Sequence, residues 1–359
     1  MVTETQRVVV GRRDGGSAGA GRPAPASERA APATGSFGHY RARDGSTGAP
    51  VAVDLDRPHV GVVVGKRGAG KSYTLGVLAE ELATTTGVTP IVVDPMGTFE
   101  TLAESPVEAH VERPTIAPNA LEPRSWCRLL DLDPASGPGA LLWRAAAAHG
   151  TIGAIRQRIE TTGATEAVRQ AAANHLALAD AWGVFDASGL DAGALCSRPT
   201  VLDLSELDRP PANAVLAAVS DLLYEARTTD AVETLPWLLV DEAHAFVDGV
   251  AGPSLERLLT RGRQPGIGIV LATQRPSALT AVATSQSDLL VAHRLTDRAD
   301  REALAAARPG YVDGTLVERM PTEPGEALVV DDATESLHHV RVRERTTTHG
   351  GGSPRASTS

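Results

Sequence analysis

Residues 59–72, HVGVVVGKRGAGKS, fit the pattern G-x-x-x-x-G-K-[ST] directly after a buried apolar run and before a helical one. Glycines let such a loop turn sharply and bring backbone N–H groups close to a polyphosphate, and the following helix adds free N–H donors. The stretch therefore predicts a strand, a P-loop and a helix that bind ATP. The predicted ATP-binding residues are Gly65, Lys66, Arg67, Gly68, Ala69, Gly70, Lys71, Ser72 and Tyr73, and the Ser72 hydroxyl is also a predicted ligand of Mg²⁺.

Lysine occurs in this chain only within this loop. Lys66 and Lys71 are the only lysines among 34 Lys plus Arg residues. A slim ammonium on a flexible stem can reach between the β- and γ-phosphates, where a broad planar guanidinium cannot sit in the same way. We therefore predict a catalytic role for Lys71, whereas Lys66 is either a solvated loop charge or a second phosphate contact.

An acid pair follows the apolar run 237–240 and has the Walker B form. At the end of such a strand, Asp241 would hold Mg²⁺ and Glu242 would orient and deprotonate the attacking water. His244 completes the spelling DEAH, and we interpret it as a contact to a neighbouring loop. Gln274 ends a later strand, where its amide is predicted to sense the γ-phosphate.

The strand ends indicate one common crevice. In open α/β sheets, ligands bind outside the carboxyl ends of the strands. Gly65, Asp94, Asp241 and Thr273 all occupy that end of their strands, so four segments are expected to meet there.

Strands that alternate with helices predict an α/β fold with a mostly parallel sheet covered on both faces. A strand falls between the P-loop helix and the Walker B strand, which indicates a RecA-like three-layer P-loop NTPase core of the additional-strand type. A helical insertion is expected at about 121–198. The predicted strands are 59–64, 90–94, 200–205, 235–244 and 266–276, with 287–295 and 326–330 as further strands at the sheet's edge.

The two ends of the chain differ from its centre in composition. Gly, Ala, Pro and Ser dominate them, and such segments bury too little apolar surface to offset the entropy lost on ordering. We predict disordered tails at 1–36 and 346–359 around an ATPase domain at 37–345. The two cysteines make no disulfide framework, and no run approaches the ~18 apolar residues of a membrane span. A cytoplasmic protein without a membrane partner is therefore expected.

A net charge of −10 makes the chain a poor general DNA binder, because phosphates repel it. Any contact to nucleic acid must then be local, for example inside a ring. The excess of acidic residues and the scarcity of lysine fit a salt-rich cytoplasm, and a GC-rich genome explains the lysine scarcity as well.

The chain resembles the HerA–FtsK superfamily of ring-forming DNA-pumping ATPases, most closely the central domain of HerA-like proteins. The resemblance spans roughly 55–345 and is weaker across 100–198. It is carried by HVGVVVGKRGAGKSYTLGVLAEEL, IVVDPMGTF, VLDLSEL, LLVDEAHAF and LLTRGRQPGIGIVLATQRPSAL, of which GRQPGIGIVLATQRPS is the most specific.

The resemblance implies a homohexamer that binds ATP between subunits and completes each site with an arginine from the neighbour. Arg263 matches a basic position of the family block, and Arg275 and Arg294 are rival candidates. HerA proteins usually carry an N-terminal β-barrel that docks a nuclease, but here only a tail and about twenty residues precede the P-loop, so a nuclease partner remains open.

The expected function is an Mg-ATP-driven motor that moves double-stranded DNA through a ring. Two alternatives remain: a secretion- or conjugation-type ATPase that moves protein or DNA–protein cargo, and a nucleotide-dependent scaffold that hydrolyses little ATP.

Overall fold

The computed structural model describes residues 8–12, 32–42, 44–306 and 319–351. The described strands are β1 (Val8–Val10), β2 (Thr34–Arg41), β3 (Thr47–Asp54), β4 (Val60–Val64), β5 (Val88–Asp94), β6 (His110–Glu112), β7 (Thr200–Asp203), β8 (Leu235–Val240), β9 (Gly268–Thr273), β10 (Leu289–Ala292), β11 (Glu326–Asp331) and β12 (Ser336–Val342). The described α-helices are α1 (Lys71–Ala83), α2 (Ser125–Leu129), α3 (Gly137–Ala148), α4 (Ile152–Thr161), α5 (Glu166–Asp180), α6 (Ala192–Ser197), α7 (Arg209–Thr228), α8 (Gly252–Arg261), α9 (Ala281–Ser285) and α10 (Arg298–Ala306).

These strands form one sheet in the order β1-β3-β2-β12-β11-β10-β4-β9-β8-β5-β7-β6. In the part of this order that runs from β10 to β6, each strand is parallel to the next one. The pairs β10–β11, β11–β12, β12–β2 and β2–β3 are antiparallel. Strand β9 lies between the P-loop strand β4 and the Walker B strand β8, so the predicted α/β fold with its additional strand is confirmed.

The expected edge strands lie elsewhere in the sheet. The runs 287–295 and 326–330 form β10 and β11, and β10 pairs directly with β4 in the middle of the sheet. Strand β12 and the β2–β3 hairpin continue the sheet beyond them. The prediction of an edge position was wrong. The β2–β3 hairpin, which precedes the P-loop in sequence, pairs with β12 and therefore extends the sheet beyond β10 and β11.

Two apolar cores cover the two faces of the sheet. Strand β4 serves both, because successive side chains of a strand point to opposite faces. Val63 packs in the core that holds Leu75 and Leu78 of α1, and Val62 and Val64 pack in the core that holds α7 and α8. This arrangement is the three-layer core expected from the sequence.

Helices α2–α6 lie between β6 and β7 in the chain and occupy 125–197, close to the expected insertion. Trp126, Ile155 and Leu176 are fully buried in the core on the α7 side. The ring of Trp126 stacks on Phe185 with centroids 4.7 Å apart. The insertion therefore extends one core of the domain. Among the described residues, no helix combines the length and apolar character needed to cross a membrane.

The structure places parts of both expected tails on the domain, although most of 1–36 and all of 352–359 lie outside the described residues. The apolar residues Val8–Val10 form β1 and pair with β3. At the other end, residues 343–351, here called the C-terminal strap, lie along α1. Buried Glu80 of α1 accepts hydrogen bonds from Thr346 and Thr347, and these contacts hold a segment that composition alone assigns to a tail.

Candidate nucleotide site

The P-loop leaves β4 at Val64 and enters α1 at Lys71. Gly68 and Gly70 have φ angles of 73° and 120°, in the region that favours glycine. The φ angle of Gly65 lies outside that region, but a Cβ at this position would stand 2.7 Å from the Cβ of His293. The glycines of the motif are thus required by a tight turn and by close packing beneath it.

His293 supports the loop from below and was missed by sequence reasoning. Its Nε2 accepts a hydrogen bond from Thr74 Oγ1, and its Nδ1 donates one to the carbonyl oxygen of Glu326, both at 2.8 Å. Burial lowers the pKa of His293 to about 4, so the imidazole is neutral. The residue directly follows β10, and only the pairing of β10 with β4 brings it under the loop.

Lys71 and Ser72 meet the Walker B acids at the carboxyl end of the sheet. The Lys71 ammonium donates to the carbonyl oxygen of Lys66 at 3.3 Å, and Ser72 Oγ donates to Asp241 Oδ2 at 2.7 Å. Burial lowers the pKa of Lys71, while the carboxylates of Glu242 and Asp241 act in the opposite direction. Burial also raises the pKa of Asp241, against the effect of the Ser72 hydrogen bond.

The adjacent hydroxyl and carboxylate suit a small hard cation. Mg²⁺ prefers oxygen ligands, and proteins usually supply one or two of them while phosphates and waters supply the rest. Ser72 and Asp241 are such a pair, and the residues therefore fit the predicted metal.

Glu242 has a strained backbone conformation. Its backbone lies in the left-handed region at φ 46°, which is unusual for a residue with a side chain. Its Oε2 is buried and forms no hydrogen bond to the described residues. Burial raises the pKa of Glu242, and the positive charges of Lys71, Arg67 and Arg275 oppose this. The carboxylate is thus free to engage a water or a ligand in the cleft.

His244 contacts the last residue of β9, where the sequence predicted a contact to a neighbouring loop. Its Nδ1 lies 3.3 Å from Thr273 Oγ1 and also 3.3 Å from Glu242 Oε2. Thr273 is fully buried, and the partly exposed Gln274 follows it at the same end of the sheet.

Asp94 stabilises the turn that directly follows it in the chain. Its carboxylate is 1% exposed and accepts hydrogen bonds from the amides of Met96 and Phe99 at 3.1 and 2.7 Å. Burial raises the pKa of Asp94 despite these bonds. Asp94 therefore fixes the loop after β5, and the groups that face the P-loop come from β8 and β9.

The other predicted nucleotide contacts surround the loop. Lys66 is partly exposed, and its amide donates to the carbonyl oxygen of Arg294 at 2.8 Å. Arg67 is exposed and Ala69 is buried. The hydroxyl of Tyr73 accepts a hydrogen bond from the Arg345 amide of the C-terminal strap at 2.7 Å. The start of α1 is thus in contact with the end of the domain.

The three candidate arginines lie in different places. Arg275 is exposed just beyond β9, close to Glu242. Arg294 follows β10, and its guanidinium donates to the carbonyl oxygen of Thr322 at 3.3 Å.

Arg263 lies at the opposite end of the strands. Its Nη2 is 3.5 Å from Asp288, whose carboxylate accepts a hydrogen bond from the amide of Val60 at the start of β4. The five residues of β4 put Arg263 roughly 13 Å or more from the P-loop of its own chain.

Comparisons with known proteins agree with this geometry. Residues 37–174 match the family model described as "Helicase HerA, central domain". Over 140 residues, the chain is 24% identical to the protein named probable helicase MJECL08 of Methanocaldococcus jannaschii; this stretch covers 38% of the chain and 26% of that relative. The chain thus spans about a quarter of the relative's length.

Two solved structures share the fold. VirB4 of Thermoanaerobacter pseudethanolicus superposes with a TM-score of 0.70 at 16% identity, over 87% of this chain and 97% of that one. A bacterial conjugative coupling protein, TrwBdeltaN70, superposes with a TM-score of 0.59 at 16% identity, over 80% and 86% of the two chains. Together with the P-loop and the acid pair beside it, these findings show a P-loop ATPase fold in which residues 37–174 resemble the central domain of HerA.

Proposed function

We propose that the protein is a ring-forming motor that uses Mg-ATP hydrolysis to move double-stranded DNA. The observation that carries the hydrolytic part is the cluster of Lys71, Ser72, Asp241 and Glu242 in one cleft at the carboxyl ends of the strands. The cluster has a phosphate-binding ammonium, an oxygen pair for a cation and an unpaired carboxylate, which are the parts that phosphoryl transfer to water requires.

In this reaction, water attacks the γ-phosphate in line with the leaving ADP oxygen. Glu242 orients the water and accepts its proton, since its Oε2 makes no hydrogen bond within the described residues. Lys71 neutralises charge between the β- and γ-phosphates, and Gln274 contacts the γ-phosphate from the end of β9. Mg²⁺ at Ser72 and Asp241 would supply further charge neutralisation and hold the phosphate oxygens.

A second copy of the chain completes the site in this proposal. Arg263 lies at the end of β4 that is opposite the P-loop, too far away to reach the nucleotide of its own subunit. Half of its side chain is exposed and available to a neighbour. Arg294 is less suitable, because its backbone is bonded to the P-loop of its own chain. We assign the role in trans to Arg263 and the assembly to a homohexamer by analogy with the superfamily.

The choice of duplex DNA as cargo rests on the family and on the helicase name of the sequence relative. The net charge of −10 requires that the DNA contact be confined to a local basic surface, such as the lining of a ring. Such a contact should weaken steeply as salt concentration rises.

ATPase assays with and without duplex DNA test the proposal. We expect steady-state phosphate release that depends on Mg²⁺ and rises several-fold with duplex DNA, together with rings in negative-stain images. Hydrolysis that duplex DNA leaves unchanged would favour a protein-moving ATPase. Nucleotide binding without turnover, with wild type and Glu242→Gln equal, would favour a scaffold and refute the motor.

A further inference from the structure

One ring nitrogen of His244 faces two different partners. Nδ1 is 3.3 Å from the hydroxyl oxygen of Thr273 and 3.3 Å from Oε2 of Glu242. The contact with Thr273 has the geometry of a hydrogen bond, whereas Oε2 of Glu242 is left unpaired among the described residues.

The two contacts compete for one position on the ring. Thr273 Oγ1 accepts a hydrogen bond from the amide of Arg275 at 3.0 Å, and its hydroxyl keeps a second lone pair and its O–H, so Thr273 can bond Nδ1 of His244 as donor or as acceptor. A carboxylate only accepts, so a bond to Glu242 needs a hydrogen on Nδ1. Because Nδ1 offers a single in-plane site, either a lone pair or an N–H, a well-directed hydrogen bond reaches only one of the two partners at a time.

The turn that carries His244 is held in place by α7. The carbonyl oxygen of Ala245 accepts hydrogen bonds from Arg209 Nε at 2.9 Å and from Asn213 Nδ2 at 3.2 Å. Asn213 is 3% exposed, and Gly249 packs so tightly against it that a Cβ would stand 1.8 Å from its Oδ1. The turn that carries His244 is thus fixed while its side chain keeps a choice of two partners.

We propose that His244 is a positioning residue: its ring forms a hydrogen bond to Glu242 whenever the ring is no longer bonded to the Thr273 hydroxyl. With Thr273 bonded to His244, as in this structure, the carboxylate of Glu242 is free for the attacking water. When the Thr273 side chain turns away, Nδ1 turns to Glu242 and withdraws the carboxylate from the reaction. This inference rests on the proposed hydrolysis and links the strand that contacts the γ-phosphate to the base that activates water.

A double-mutant cycle in the full chain tests this link. Thr273→Val removes the competing hydroxyl, so His244 stays on Glu242 and kcat should fall at least about tenfold, with little change in the affinity for a fluorescent ADP analogue. Adding His244→Ala removes the captor, so the double variant should turn over several times faster than Thr273→Val alone. Thr273→Ser, which keeps the hydroxyl, should be faster than Thr273→Val, and His175→Ala on α5 is the control for loss of a histidine elsewhere.

A structural role for these residues predicts the opposite pattern. If His244→Ala lowers kcat further in the Thr273→Val background, or if Thr273→Val turns over like wild type, the proposed capture is wrong. If Thr273→Val does not fold, Thr273→Ala takes its place in the same cycle. The cycle is interpretable only because wild type is measured first: wild type without ATPase activity refutes the proposed function, whereas an active wild type with additive losses refutes only the role of His244.

Discussion

Replacing Glu80 by Gln should release the C-terminal strap from the P-loop helix. The Glu80 side chain is 3% exposed and accepts five hydrogen bonds, one each from Arg343, Arg345 and the Thr346 amide and two from Thr347. A glutamine keeps the shape but loses the charge that these donors surround. It therefore tests whether electrostatics, rather than packing, holds the strap in place.

The pKa of this carboxyl gives the magnitude. Burial alone would raise it, but the hydrogen bonds from Thr347, Thr346 and Arg343 outweigh burial and lower the pKa of Glu80 from 4.5 to about 2. That difference of roughly 2.5 pH units corresponds to about 3 kcal/mol. Because the folded-state pKa is depressed, this stabilisation is complete above pH 4.5 and is lost as the pH falls towards 2.

Limited trypsin digestion measures the effect at neutral pH. Cleavage after Arg345, whose side chain is 1% exposed, requires the strap to detach. A loss of about 3 kcal/mol raises the detached population by up to about 100-fold, and the cleavage rate rises with it if detachment is local and rapidly reversible. The matched control is Glu302→Gln, since Glu302 is 64% exposed and pairs with Arg298 on the surface. Equal cleavage rates in Glu80→Gln, Glu302→Gln and wild type would refute the argument.

Three further predictions concern the nucleotide site. Lys71→Ala should weaken ATP binding at least about 10- to 100-fold in a fluorescence titration, because a charge-assisted contact to phosphate is lost; unchanged affinity would contradict the site assignment. Glu242→Gln should lower the single-turnover hydrolysis rate by about 10² to 10⁴ while nucleotide affinity is retained, and an unchanged rate would remove Glu242 as the base. The pKa of His293 is depressed from 6.5 to about 4, so stability should fall as the pH drops from 6.5 to 4, by up to about 3 kcal/mol in urea unfolding, whereas His293→Gln should lack this pH dependence although its stability is lower throughout.

Much of the parallel half of the fold was predictable from local patterns. A few neighbouring residues are enough to recognise each of three features: the buried β-branched runs, the P-loop between strand and helix, and the acids after β8. Their convergence follows from a general rule for parallel sheets, which explains why the sequence predicts that Lys71, Ser72, Asp241 and Glu242 lie together.

The remaining contacts depend on residues far apart in the chain. His293 supports the P-loop only because β10 pairs with β4, and the strap binds α1 because Glu80 has donors more than 260 positions away. Asp94 is the last residue of β5 and Asp241 directly follows β8, but the carboxylate of Asp94 turns to the loop that follows β5. No local pattern distinguishes the two aspartates, because the difference lies in the direction of a side chain.

The register of the sheet limits how this domain can do work. Val64 pairs with Thr273 on one side and with Ala292 on the other, so the P-loop and the strand end before Gln274 leave the sheet side by side. These strand ends cannot slide past each other without breaking several hydrogen bonds at once, so the parallel half of the sheet should move as one stiff body. If the proposed ring forms, a power stroke would then appear as rotation of whole subunits about their contacts.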